Sequence, residues 1–131
     1  MRIVIVDDSL DVQRSLSRLL GSVAGLDVVG CARGVPEALS LIDSVEPDVV
    51  VLDVNLHDRD KGIDVLRYVK RQRPRIEVVV LSEFASRRLR ESFIDVGASV
   101  FYGKSTEFVQ AKDWIASLAS SASRGDASSA K

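Results

Sequence analysis

Cysteine occurs once, as Cys31, and histidine once, as His57. A single cysteine excludes an internal disulfide and any multi-cysteine zinc or iron–sulfur site within the chain, and a small apolar packing role is the expectation for it. Proline is limited to 3 residues, so few helices or strands are forced to break. No apolar run approaches the ~20 residues of a membrane-spanning helix. No basic segment followed by an apolar stretch marks a secretory leader. A cytoplasmic protein without membrane contact is expected. Charge of one sign is missing too: Lys and Arg number 18 against 19 Asp and Glu, a net charge of -1. That balance leaves no electrostatic footprint for nucleic acid, and no direct DNA binding is expected.

What the sequence does have is alternation. Five short runs rich in Val and Ile stand out: Ile3–Val6, Leu26–Cys31, Val49–Leu52, Val78–Leu81 and Val100–Tyr102. They are near-continuously apolar rather than alternating, the pattern of strands covered on both faces. Between them run helical stripes. Val12, Leu16, Leu19, Leu20 and Val23 form the first, and Ala38, Leu41, Ile42 and Val45 the second. Val65, Leu66 and Val69, then Leu89, Phe93 and Val96, then Phe108, Ala111, Ile115 and Leu118 complete the set. Trp114 beside the last stripe is expected to pack rather than bind. Ser86 and Ser105 are placed to cap the fourth and fifth helices, and Pro47 and Pro74 fall where the second and third should have stopped.

Five β-α units in succession predict an α/β fold. Parallel strands joined by right-handed crossovers make a doubly wound five-stranded sheet in the flavodoxin-like order 2-1-3-4-5, with helices on both faces. Residues 1–119 form this domain. From Ser120 to Lys131 the chain is Ser- and Ala-rich with no apolar stripe, and a disordered tail is expected there.

In such a sheet the site forms beyond the carboxyl ends of the strands, at the switch point between strands one and three. Asp7 and Asp8 follow strand one, Asp53 ends strand three, Ser82 follows strand four and Lys104 follows strand five. Singly, each has an ordinary explanation. An Asp pair after a strand often makes a turn or starts a helix, and a lone Asp, Ser or Lys says little. Together they place three carboxylates, a hydroxyl and an ammonium in one crevice. Crowded carboxylates repel, and a hard divalent cation, Mg²⁺, relieves them. A carboxylate aimed beside a cation and an ammonium is suited to attack a phosphoryl group, with Ser82 and Lys104 bonding its oxygens.

The motifs Val6-Asp7-Asp8, Val51-Leu52-Asp53, Leu81-Ser82 and Gly97-Ala98 through Lys104, in this order, resemble the receiver domains of two-component response regulators over residues 1 to about 119. The resemblance implies that Asp53 is the phosphoacceptor and that Asp7 and Asp8 bind Mg²⁺, with the backbone carbonyl of Asn55 as a further ligand. It implies that Ser82 is the switch hydroxyl, Lys104 the invariant lysine and Phe101 the switch aromatic. It further implies a phosphorylated signalling switch rather than an enzyme, one that catalyses at most its own phosphorylation and dephosphorylation. The donor would be a histidine kinase or phosphotransfer protein. The output would be a protein partner or a homodimer through the fourth helix, fifth strand and fifth helix. Phe84, two residues past Ser82, is expected to shield an acyl phosphate from water.

Departures from the family pattern are few. Phe101 lacks the hydroxyl of the Tyr often found there, and Tyr102 points to the other sheet face. Ser105 follows Lys104 where many relatives have proline, so a cis bond is not carried over. His57 replaces a proline, in a loop one residue longer than usual, and is expected to be solvated. Among rivals, a dehalogenase-type phosphatase needs a second Asp where Asn55 stands. A flavin or nucleotide binder needs a glycine loop after strand one, where Asp7-Asp8-Ser9 repels phosphate without a metal. A receiver-like interaction scaffold, or a phosphate sink not used as a switch, is the remaining alternative.

Overall fold

The computed structural model describes residues 1–131 except 57, 58, 60, 84, 85, 105, 106, 130 and 131, with the backbone alone for 122–129. His57, Phe84 and Ser105, with the expectations attached to them, lie outside the described residues. Elements alternate throughout: β1 (Arg2–Val6), α1 (Leu10–Gly21), β2 (Asp27–Ala32), α2 (Val35–Val45), β3 (Val49–Asp53), α3 (Gly62–Gln72), β4 (Glu77–Ser82), α4 (Arg87–Val96), β5 (Val100–Gly103) and α5 (Phe108–Ser129). The strands pair in parallel in the order β2-β1-β3-β4-β5, as expected from the alternation.

The β-branched runs are buried on both sides. Ile3 through Val6, Val49 and Val50 are 0% exposed, and each such side chain contributes about 1.5–3 kcal/mol on leaving water. Side chains alternate between two cores. Val4, Val6, Val50, Leu52, Val78, Val80 and Phe101 face α2, α3 and α4. Ile3, Ile5, Val49, Val51, Val79 and Leu81 face α1 and α5. Helices α1 and α3, leaving the adjacent strands β1 and β3, therefore cover opposite faces, and their loops part to open a crevice at the carboxyl edge. Phe101 and Tyr102 lie in different cores, as strand alternation requires, and Trp114 packs against the α1/α5 side.

Each strand extends one residue past its apolar run at one end or both, and the second also starts one residue late. The second strand starts at Asp27, whose N–H donates to the Met1 carbonyl at 2.9 Å. Leu26 is buried but belongs to the preceding turn, where its N–H bonds Val23 O at 3.2 Å. An apolar residue needs a core and need not be in a strand to reach it. Helix α5 is described as helical through Ser129, across the stretch that has no stripe. Serine and alanine tolerate a helix without requiring a packed face.

Candidate functional site at the strand ends

The structure brings the expected residues to one edge. Strand β1 delivers Asp7, β3 delivers Asp53, β4 delivers Ser82, and Lys104 follows β5. A crevice of about 280 Å³ is lined by Asp8, Ser9, Val12, Asp53, Asn55, Ser82, Glu83 and Lys104. Asp7, 2% exposed, is buried next to the lining residues Asp8 and Asp53.

Lys104 Nζ bridges two carboxylates, at 2.7 Å from Asp7 Oδ2 and 3.1 Å from Asp53 Oδ2. The other oxygen of each carboxylate holds the backbone. Ser9 N donates to Asp7 Oδ1 at 2.9 Å, and Val54 N donates to Asp53 Oδ1 at 2.8 Å. The turn role and the site role of these aspartates are thus divided between the two oxygens of one side chain. The helix-start role falls to Ser9, whose Oγ accepts from Val12 N at 3.2 Å and caps α1.

The charges do not cancel. Burial, reinforced by the negative charge of Asp7, raises the Asp53 carboxyl from 3.8 to about 6, although the ammonium of Lys104 and the Val54 N–H pull it back. Burial pulls Lys104 down, but its bond to Asp7 and the charges of Asp53 and Asp7 outweigh this and leave its pKa raised. Carboxylate oxygens of Asp7, Asp8 and Asp53 lie within 4.8 Å of one another. Three carboxylates against one ammonium leave an excess of negative charge next to an open crevice. Hard oxygen donors in that setting fit a small divalent cation.

Asn55 lines the crevice and pairs with Lys61 in an antiparallel bridge. That bridge closes the loop between β3 and α3 against its own base. Ser82 is 3% exposed, and its carbonyl accepts from Lys104 N at 2.9 Å. This bond ties the β4 and β5 ends together. Phe101 is buried away from the crevice, its ring 5.8 Å from that of Phe93.

Sequence reading missed three contributors. Gln13 is buried on α1 beside Leu16 and Leu20, and its Nε2 donates to Asp7 O at 2.7 Å and to Ala32 O at 3.3 Å. Its place at i, i+3, i+7 with those leucines was the available signal. Arg33 Nε donates to Asp8 O at 3.2 Å. Gly62 packs directly on the backbone of Asp53, and nothing local in the sequence indicates that contact.

An acidic crevice at the switch point of a 2-1-3-4-5 sheet, with a lysine reaching in from the last strand, is the architecture of a two-component signalling receiver. The chain belongs to the response regulator receiver domain family, which it matches over residues 3–115. It is 36% identical over 104 residues to the DNA-binding transcriptional activator DevR/DosR of Mycobacterium tuberculosis, covering 79% of this chain and 48% of that protein. It is 32% identical over 106 residues to a protein-glutamate methylesterase/protein-glutamine glutaminase of Treponema denticola, covering 79% of this chain and 28% of that protein. The chain thus spans half or less of the length of these relatives. Among solved structures, the receiver domain of NtrX from Brucella abortus is 28% identical with a TM-score of 0.78, covering 89% of this chain and 96% of that one. A CheX-CheY-BeF3-Mg complex from Borrelia burgdorferi shares the fold, with a TM-score of 0.82 at 22% identity over 90% of this chain and 88% of that one. Among the described residues, no helix is long and apolar enough to cross a membrane.

Proposed function

We propose that this receiver domain is a phosphorylation-dependent switch that accepts a phosphoryl group on Asp53 from a phosphohistidine of a histidine kinase or phosphotransfer protein. The observation that carries this reading is the bridge from Lys104 to Asp7 and Asp53. It aims a buried carboxylate into an open crevice and leaves it underneutralised. An Asp53 carboxylate oxygen attacks phosphorus, the N–P bond breaks, and the imidazole departs with the electron pair. Asp7, Asp8, Asp53 and the carbonyl of Asn55 would hold Mg²⁺, which when bound neutralises charge spreading over the phosphoryl oxygens. The magnesium named in the Borrelia complex supports this assignment. Lys104 and the Ser82 hydroxyl bond the remaining oxygens. The added charge then shifts Ser82, Lys104 and Phe101, and with them the surface of α4, β5 and α5 read by a protein partner or second copy.

Incubation with acetyl phosphate and Mg²⁺ tests the acceptor. The wild type should gain the mass of one phosphoryl group, and Asp53→Asn should gain none. Uptake by Asp53→Asn at the wild-type rate would reject the assignment.

A further inference from the structure

The acidic pair sits on a short connection between β1 and α1, and two bonds from one buried side chain fix where that connection begins. Gln13 Nε2 donates to the carbonyl of Asp7 at 2.7 Å and to that of Ala32 at 3.3 Å. Both acceptors are carbonyl oxygens, so only the NH₂ end of the amide can face them. Ala32 O also accepts from Asp7 N at 3.0 Å. The ends of β1 and β2 and the first turn of α1 are therefore joined at one point, directly behind Asp7.

We infer that Gln13 is a positioning residue for the metal site, an inference that rests on the reading of Asp7 and Asp8 as Mg²⁺ ligands. The physical case is one of preorganisation. Mg²⁺ demands near-ideal geometry from few carboxylates, and repelling carboxylates splay apart unless their backbone is held. Asp7 has its side chain committed at both oxygens, to Ser9 N and to Lys104 Nζ. Those bonds aim the carboxylate correctly only if the peptide between Asp7 and Asp8 keeps its orientation. The Gln13 amide holds that peptide by its oxygen. Burial makes the hold firm: Gln13 is 9% exposed, so water is a poor substitute for the lost donor. The next carbonyl, that of Asp8, is tied by Arg33, so successive peptides of the connection are both anchored.

The test is Mg²⁺ binding by titration calorimetry on the full chain, compared with thermal melting. Gln13→Met keeps the length and removes both donors. Its Mg²⁺ affinity should fall about tenfold, the lower end of what losing an outer-shell partner costs a metal site. Gln13→Asn, one methylene too short to bridge both carbonyls, gives the same measurement should Gln13→Met not fold. Ser99→Ala is the control. It removes a hydroxyl that accepts from Val78 N at 3.2 Å at the opposite end of the sheet, so it should lower the melting temperature and leave Mg²⁺ affinity unchanged. A folded Gln13 variant with wild-type Mg²⁺ affinity overturns the inference, as does a loss no larger than that of Ser99→Ala. If the wild type binds no Mg²⁺, or Asp8→Ala binds it equally well, the reading of the acidic pair fails instead.

Discussion

A Cβ on Gly62 would stand 2.0 Å from the carbonyl oxygen of Asp53. The first residue of α3 therefore lies against the backbone of the candidate acceptor, and Gly62 N donates to Val54 O at 2.8 Å to close the loop. The obstacle is backbone, which cannot swing aside as a side-chain tip can. Gly62→Ala should cost roughly 3 kcal/mol or more, as overpacking against a fixed wall does. It should also impair phosphoryl uptake, because relief requires moving Asp53 or the Asn55–Lys61 bridge. Urea denaturation and acetyl phosphate labelling check both effects, and wild-type stability in Gly62→Ala would contradict the close approach.

Asp53 weakens the metal-free fold at neutral pH. Its carboxyl titrates at about 6 rather than 3.8, so the folded state binds this proton more tightly than the unfolded state does. The associated stability is complete below about 3.8 and is lost as pH rises through 6. At 1.36 kcal/mol per unit, discounted for solvent in the open crevice, the loss is about 2 kcal/mol. Without Mg²⁺, Asp53→Asn should therefore melt higher than the wild type at pH 7.5, with the difference vanishing near pH 4. Addition of Mg²⁺ at pH 7.5 should narrow the gap by stabilising the wild type. A constant difference across the pH range would assign the effect to something other than this carboxyl.

Much of this was legible because strands buried on both faces leave an unmistakable mark. Val49-Val50-Val51-Leu52 admits no solvent face, and Asp53 at its end is conspicuous for that reason. The crevice followed from topology, since a 2-1-3-4-5 sheet gathers residues far apart in sequence at one edge. Other features depend on tertiary contact. Gln13 reads as an ordinary polar helix residue until the ends of β1 and β2 are placed beside it. The start of β2 was offset because Leu26 is apolar for the sake of the core, not of the sheet. Arg90 reads as one of several surface charges, although its guanidinium covers the Phe101 ring.

That cover separates two arginines of α4. The guanidinium of Arg90 lies 5.3 Å from the centroid of the Phe101 ring, and Nη1 donates to Phe101 O at 2.6 Å. Its Nη2 approaches Glu107 Oε1 at 3.7 Å, an oxygen that also accepts from Gly103 N at 2.9 Å. Arg87 pairs with Glu91 at 3.0 Å, with 91% of the Arg87 side chain exposed. Arg90→Ala should cost about 1–2 kcal/mol through the lost cation–π contact and charged hydrogen bond. Arg87→Ala should fall within the small range typical of exposed pairs. Chemical denaturation of the two variants settles it, and equal effects would argue that Arg90 is no more than a solvated charge.

The same contrast shapes how the signal would leave the domain. Arg87 and Arg88 are exposed at the start of α4, and Ile94 on the same helix is 42% exposed. A partner reading this face would meet charge and an apolar residue together. Phosphorylation need move the surface between two states by only a few kcal/mol, within reach of new charge-assisted bonds to Ser82 and Lys104. Loading Asp53 with beryllofluoride and Mg²⁺ should therefore change self-association or capture of a defined phosphotransfer or target protein, measured by sedimentation and pull-down. Reversing Arg87 and Arg88 to Glu should diminish that change while leaving phosphoryl uptake intact, because neither side chain lines the crevice. Arg90 should be left in place, since its removal would disturb Phe101 and confound the two effects. If loading alters neither self-association nor binding of any candidate partner, Asp53 is better understood as a sink or relay for phosphoryl groups than as the trigger of a surface switch.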